Sequence, residues 1–336
     1  MPRAEPARVW LRYDEEASAC PACASPRLTH LDAFSIPRDA RGRRVSFLTG
    51  CYDCGLLFAN PLPVAGQADR FYAAEGAWAG KREARTRRLE ATHARRIAQG
   101  TPTPTHRPRR RDALFDALEP YIAVHAPPPG ARALDFGCGE GKFLDRLQAW
   151  GWDTCGIEPS AGVAFLRHRR LESPPQDGSF DFVILHHVLE HLADPLDLLR
   201  RLAGATREGG ALFVSVPRLD TLPQHGDFRY CINGRTHPIC LSEVCLRGLL
   251  ARAGFATTAR LDQRELDEAL TDGRPLRLRL VALRTAAPVP LPDDPLDSAV
   301  DALTRYALAR AGLGARMQRA LPVRLRAALM DRARAR

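Results

Sequence analysis

Residues 133–141 read Ala133-Leu134-Asp135-Phe136-Gly137-Cys138-Gly139-Glu140-Gly141. Ala133 to Phe136 has the profile of a buried strand carrying one acid. Three glycines at alternate positions follow. They let the backbone turn sharply and approach a ligand, because no Cβ stands in the way. Lys142 to Trp150 then places Phe143, Leu147 and Trp150 on one side of a helix. The free N–H groups of that helix's first turn face whatever lies over the glycines. Seventeen residues beyond Gly141, Glu158 ends a second strand-like run, Cys155-Gly156-Ile157-Glu158. In doubly wound sheets a carboxylate at the end of the second strand reaches ribose hydroxyls. Strand, turn, helix and acid together predict a site for a nucleoside-bearing cofactor.

The dinucleotide fingerprint spaces its glycines as Gly-x-Gly-x-x-Gly. Here the third glycine comes one residue early, and Asp135 lies in the strand just before the turn. This resembles the first motif of class I S-adenosylmethionine-dependent methyltransferases. Ser179 to Leu192, SFDFVILHHVLEHL, resembles that family's fourth strand and the loop after it. Gly209 to Pro217, GGALFVSVP, resembles its fifth strand. His237, the run Leu246–Leu250 and Ala253-Gly254-Phe255 resemble a segment of the subgroup related to ubiquinone-biosynthesis methyltransferases. The resemblance covers roughly residues 112–285. It implies S-adenosyl-L-methionine as cofactor. Asp135, Gly137, Gly139, Gly141 and Glu158 would hold the methionine and ribose parts, with backbone near Leu185 and His186 touching the methionine.

The pattern after residue 130 alternates between strands and helices. Strands are expected at 132–136, 153–157, 180–185, 211–216, 255–261 and 275–284, and helices at 142–150, 160–170, 195–204 and 242–253. Asp272-Gly273 would turn the last two strands into a hairpin. The expected fold class is α/β: a doubly wound, Rossmann-like sheet, seven-stranded by the resemblance. Only 22 residues separate Glu158 from Asp181. The third-strand region is therefore shortened, and the acid that reaches the adenine amino group in the family has no clear counterpart; Glu172 is a poor candidate.

Two Cys-x-x-Cys knuckles, Cys20/Cys23 and Cys51/Cys54, precede the sheet. Short strand-like runs at Leu31–Ile36, Val45–Thr49 and Leu56–Ala59 lie between and after them. Four thiolates in this arrangement complete a closed tetrahedral site for a structural zinc, leaving no open position for catalysis. The chain thus divides into a zinc ribbon at 15–62, a basic helical segment and mobile linker at 63–111, a methyltransferase domain at 112–286, and a proline-rich linker and basic helical tail at 287–336. Apolar stripes in the tail helices, 296–313 and 321–333, either pack back on the body or pair between protomers.

Composition sets the outer bounds. The chain has 336 residues, 45% of them hydrophobic and 26% charged, with a formal charge of +10. No apolar run reaches the roughly 20 residues a membrane helix needs, and the first residues lack a signal-peptide core. A cytoplasmic location is expected, with the nine cysteines reduced. Residues 81–111 hold eleven Lys/Arg against Glu83 and Glu90. The bland reading is a solvated helix face. Contact with an anionic membrane surface, a phosphate-bearing acceptor or nucleic acid are the alternatives. Aromatic content of 7% argues against nucleic acid.

Methyl transfer to a hydroxyl needs the acceptor in line with the methyl group and a base for the departing proton. Histidine suits that role. The candidates are His187 and His191, after the fourth strand, and His237, in a long polar loop after the fifth. By the resemblance, Glu190-His191 is a pair that helps hold a divalent metal in ubiquinone-type enzymes, which also use an acidic residue three before that Glu, a position held here by His187. The leading expectation is O-methylation of a small-molecule, sugar, glycan or lipid-linked acceptor. The competing readings are an RNA or ribosome methyltransferase, and a degenerate methyltransferase fold that serves as a zinc-dependent interaction module.

Overall fold

The computed structural model describes residues 16–38, 44–63, 130–158, 168–222, 228–233, 236–261, 277–293 and 295–310, with isolated positions between 91 and 122. The expected basic helical segment and linker at 63–111, the helix at 321–333 and the Asp272-Gly273 turn fall wholly or mostly outside these residues.

The main sheet contains β4 (Arg132–Phe136), β5 (Asp153–Ile157), β6 (Arg169–Arg170), β7 (Phe180–His186), β8 (Thr206–Pro217), β10 (Phe255–Arg260) and β11 (Arg277–Arg284). Its strand order is β10-β11-β8-β7-β4-β5-β6. The strands from β8 to β6 run parallel, while β11 is antiparallel to both β8 and β10. Strand order reverses at β4, which is flanked by β5 and β7, so the ligand crevice belongs at its carboxyl end. Helices α1 (Lys142–Ala149), α2 (Pro195–Ala205) and α4 (Glu243–Arg252) cover the faces, and a short helix α3 (Phe228–Cys231) lies in the loop after β8. One face buries Leu134, Val183, Leu185, Val214 and Leu280 beneath α2 and α4. The other buries Ala133, Phe182, Ile184, Phe213 and Val281 with Phe143 and Leu147 of α1. Both faces being covered explains why β7 and β8 read as unbroken apolar runs. The helix ends follow their caps. Asp194 accepts the N–H of Asp197 at 3.0 Å with Pro195 in the first helical position, and Ser242 accepts that of Cys245 at 3.1 Å.

The sequence pattern carried a helix through 160–170. Arg169 and Arg170 instead form β6, in parallel register with Cys155 and Gly156. The reason lies next to them. The side chain of His168 is fully buried, with Nε2 2.8 Å from Asp145 Oδ1 and Nδ1 3.2 Å from Thr154 Oγ1. These bonds pin the chain to both α1 and β5 just before it pairs. The third strand is present but two residues long, and Glu172 is exposed and paired with Arg170 at 3.3 Å.

A second sheet is built from β1 (Leu28–Arg38), β2 (Arg44–Cys51) and β3 (Leu57–Asn60), and its fourth strand is β9 (Ile239–Cys240), from the loop after β8. The cysteine-bearing segment therefore shares a sheet with the rest of the chain. It shares cores too. Cys51, Cys54, Leu56 and Phe58 join the cluster that contains Cys245, Leu246 and Leu249 of α4. On the far side, helix α5 (Pro295–Arg310) lays Leu296, Ala299, Val300 and Leu303 against Leu31, Leu48 and Leu57. The first tail helix packs back on the body. It comes so close that a Cβ on Gly55 would stand 2.4 Å from the Pro295 carbonyl oxygen, and Gly55 also has φ +72.

His168→Ala should leave Asp145 and Thr154 without their buried partner. We expect a loss of about 2–4 kcal/mol of unfolding free energy, read from denaturant midpoints. An unchanged midpoint would contradict the pinning role.

Candidate cofactor and acceptor site

The glycine turn has the geometry its sequence requires. Gly137, Gly139 and Gly141 have φ values of 78°, 54° and 77°, a region that L side chains avoid. Gly137 N–H and Cys138 N–H both donate to the Ile157 carbonyl, at 2.7 and 3.1 Å. The turn is thereby tied across to β5. A Cβ on Gly137 would strike Val188 Cγ2 at 2.6 Å, whereas one on Gly139 meets nothing within 4 Å. Gly137 is required for packing, and Gly139 faces open space. Gly141 stands at the N-terminus of α1 with no side-chain cap.

Glu158 is buried at the end of β5 and accepts the Gly139 N–H at 2.9 Å. Asp135 is almost fully buried in β4, and its Oδ2 has no hydrogen-bond partner. Burial first, and the Glu158 charge second, push the Asp135 carboxyl up to about 8. Two acids therefore face the turn, one of them protonated at neutral pH. Leu185 is buried in β7, and the His186 ring lies between Phe143 and Phe213, with centroids 5.3 and 6.5 Å away.

Beyond β7 the chain makes a one-turn 3₁₀ helix, Leu189–His191. His187 enters it with φ +55, unusual for a residue with a side chain. Its Nδ1 lies 2.7 Å from Glu190 Oε1. Glu190 is buried. Burial alone would raise its pKa, but the His187 hydrogen bond and the fields of His187, His191 and His237 outweigh it, and the net shift is downward. His191 Nδ1 lies 2.5 Å from the Thr236 carbonyl, and His237 Nδ1 lies 2.8 Å from that of Tyr230. A carbonyl only accepts, so both Nδ1 atoms carry a proton, and in the neutral tautomer this sets, Nε2 is the atom with the lone pair. Burial lowers the His237 pKa, which keeps that ring neutral. The two rings meet edge to face at 4.8 Å. Donor atoms of Glu190, His191 and His237 all lie within 4.8 Å of one another. The three candidate histidines thus form one cluster around Glu190. His225 and Asp227 of the same loop lie outside the described residues.

The four ribbon cysteines also converge. Cys20 and Cys54 sulfurs are 3.6 Å apart, as are those of Cys23 and Cys51, and all four lie within 4.8 Å. Sulfurs about 2.3 Å from one zinc ion stand about 3.8 Å apart, so these residues fit the metal. The two knuckles close identically. Cys20 and Cys51 carbonyls accept from Ala24 and Gly55, both at positive φ, and their N–H groups donate to the Ser25 and Leu56 carbonyls. Hydrogen bonds from Cys20 and Cys54 hold the Cys51 thiol down to about 2, while its bond to Cys51 pushes Cys20 up to about 12. Burying more than one thiolate here calls for a cation. Cys138, Cys155, Cys231, Cys240 and Cys245 are buried thiols outside any disulfide.

Sequence reading missed Arg277 and Arg279 at the same end of the sheet. Arg277 Nε donates to His187 Nε2 at 2.8 Å, and Arg279 is 3% exposed. The available signal was the alternation Arg277-Leu278-Arg279-Leu280, which marks a strand whose second face turns polar.

In cofactor-free protein, ionising buried Asp135 opposes folding. The folded state binds this proton more tightly than the unfolded chain, so stability falls as pH rises from near 4 to about 8. Asp135→Asn should therefore raise the melting temperature above that of wild type at pH 9, with the gain shrinking towards pH 6. A gain independent of pH would refute a protonated Asp135.

Residues 106–260 match a family model described as a methyltransferase domain. A ubiquinone biosynthesis O-methyltransferase of Xanthomonas campestris pv. campestris is 33% identical over 134 residues, covering 35% of this chain and 54% of its own length. The chain thus spans about half the length of the curated relatives it matches. Among solved structures, an S-adenosylmethionine-dependent methyltransferase from Mesorhizobium loti aligns with 51% of this chain and 100% of its own, at 21% identity and a TM-score of 0.40. One from Archaeoglobus fulgidus aligns with 52% and 95%, at 18% identity and a TM-score of 0.38. With the glycine turn and strand order already described, the family match makes residues 106–260 a class I S-adenosylmethionine-dependent methyltransferase domain.

Proposed function

We propose that this chain is an S-adenosylmethionine-dependent O-methyltransferase of a small-molecule, sugar or lipid-linked hydroxyl acceptor, with a structural zinc. The observation that carries this reading is the meeting of the glycine turn, Glu158 and the Glu190 histidine cluster at one end of the sheet. Gly139, with open space above it, and Glu158 hold the cofactor's methionine and ribose parts. The cofactor supplies an electrophilic methyl group on a sulfonium. A lone pair of the acceptor oxygen forms the new O–C bond, the C–S bond breaks, and its electrons stay on sulfur. The hydroxyl proton passes to a histidine Nε2. His237 and His191 both present that atom as a lone pair, and buried Glu190 stabilises the positive charge that develops.

A second reading of the same cluster is favoured by its donor set. Two imidazoles whose Nδ1–H groups are held by carbonyls, beside a buried carboxylate, suit a divalent ion. Glu190, His191 and His237 would hold it, and it would lower the pKa of a bound acceptor hydroxyl. His237 then supplies the ligand that the related enzymes take from the position of His187.

The ribbon and tail belong to this function as a clamp on residues 112–286. β3 holds β9 by register pairs Leu57↔Cys240 and Phe58↔Ile239, and Ala59 N–H donates to the Pro238 carbonyl at 2.8 Å. His237 immediately precedes Pro238. No described helix is long and apolar enough to cross a membrane, and a cytoplasmic site of action fits the reduced cysteines.

Calorimetric titration with S-adenosylhomocysteine should show saturable binding that Gly139→Arg abolishes. No binding by the wild type, or equal binding by the variant, would sink the cofactor reading. Purified protein should carry about one zinc per chain. Its removal by a chelator should speed amide hydrogen exchange at residues 236–241 as well as in 44–60; unchanged protection at 236–241 would separate the ribbon from the acceptor loop.

A further inference from the structure

The carboxylate at the centre of the histidine cluster is only half satisfied. Glu190 is 1% exposed. Its Oε1 lies 2.7 Å from His187 Nδ1, while its Oε2 has no hydrogen-bond partner among the described residues. A buried carboxylate oxygen without a donor is costly, and folds keep one where a ligand or ion takes its place. Ligand atoms of Glu190, His191 and His237 lie within 4.8 Å of one another. Both imidazoles direct Nδ1 at a backbone carbonyl, that of Thr236 for His191 and that of Tyr230 for His237. This is the outer bond that a metal-bound histidine makes.

His187 is not a further ligand of this group. Arg277 Nε donates to its Nε2 at 2.8 Å, and a guanidinium only donates, so Nδ1 carries the proton that goes to Glu190 Oε1. Both ring nitrogens of His187 are thereby engaged. Its φ of +55, a conformation in which histidine is enriched, aims the ring back at Glu190 from the end of β7. Arg277 reaches it from β11. The same guanidinium hydrogen-bonds the Tyr230 side chain, and the Tyr230 carbonyl accepts from His237. One arginine therefore steadies the cluster on two sides. Through His187 it fixes which oxygen of Glu190 is tied and which is left for the cluster. Through Tyr230 it supports the placing of the His237 ring.

Two imidazole nitrogens and one carboxylate oxygen form a borderline donor set. Magnesium demands near-ideal octahedral geometry built from oxygen ligands. Imidazole suits later first-row ions such as zinc, iron and nickel. Three protein donors also leave open positions, unlike the four thiolates of the ribbon. We infer that Glu190, His191 and His237 take a later first-row divalent ion in preference to magnesium, and that His187 and Arg277 are positioning residues that hold the carboxylate for it. The open positions are left for the acceptor oxygen. This inference rests on the metal reading of the cluster given above, and it names the class of ion and the residues behind the ligands.

The test uses the full chain with its ribbon metal in place. Cobalt(II) is the probe, because its visible d–d bands report the ligands around it. Cobalt entering the ribbon instead would show intense thiolate charge-transfer absorption. One equivalent should bind with d–d bands alone, and a large molar excess of magnesium should not displace it. His237→Gln should weaken cobalt binding at least as much as an outer-shell change does. His187→Gly, which accepts φ +55 without strain, and Arg277→Gln should each weaken it about 10- to 100-fold, the worth of an outer-shell bond, and shift the d–d bands. His187→Asn, whose amide nitrogen can stand where Nδ1 does, and Arg277→Lys should restore part of the affinity. Binding of S-adenosylhomocysteine by each variant reports an intact fold. Displacement of cobalt by equimolar magnesium would overturn the inference and leave the metal reading standing. Unchanged affinity and bands in both His187→Gly and Arg277→Gln would overturn the positioning roles. Binding of neither ion outside the ribbon would sink the metal reading, and the inference with it.

Discussion

Two residue pairs, Leu57↔Cys240 and Phe58↔Ile239, join the cysteine-bearing sheet to the loop that follows β8. The position of that loop depends on them. It leaves the main sheet at Pro217 and returns to it only through α4, and β9 is where its backbone pairs with the ribbon. With β9 in place, His237 is brought to 4.8 Å from the His191 ring, and Asn233 Oδ1 binds the N–H groups of Thr236 and His237. The ribbon cannot build a large core of its own. It borrows Cys245, Leu246 and Leu249 from α4 on one side and α5 on the other. Ribbon, loop and histidine cluster therefore form one mechanical chain.

The end of the main sheet shows a different economy. Along β7, β8 and β11 the residues change from Phe182, Phe213 and Val281 to His186, Ser215 and Arg279 within a few positions of the same face. Such a switch weakens packing and exposes polar groups to desolvation cost. It lies at the carboxyl end of the parallel strands, the end at which a doubly wound sheet keeps its ligands. Asp135, protonated by its burial, belongs to the same band.

Elements specified by local chemistry were legible in the sequence. The glycine turn needs positive φ at three positions, and only glycine supplies that without strain. The cysteine knuckles need their two-residue spacing to present sulfurs to one ion. Both could be named from residues alone, as could β7 and β8 from their apolar runs. What escaped was set by distant partners. Arg169 and Arg170 continue a helical pattern, but the buried bonds of His168 to Asp145 and Thr154 make them a strand edge. Ile239-Cys240 is too short to carry a strand signal, and β3 decides it. Arg277 looked like one more arginine in an arginine-rich chain. Its contact with His187 crosses 90 positions of sequence, and no local pattern encodes it.

Helix α5 has a consequence for the order of assembly. The cysteines at 20–54 are made early, yet the sheet they anchor needs β9 for its edge and Leu296, Val300 and Leu303 for one face. During synthesis the ribbon exposes Leu31, Leu48 and Leu57 until those later segments arrive. Contacts of such large sequence separation form slowly, because loop closure is costly before they reward it. If the knuckles hold zinc as proposed, metal captured by them would hold the early segment in shape through this interval, and zinc availability would then govern the yield of folded chains as well as their stability.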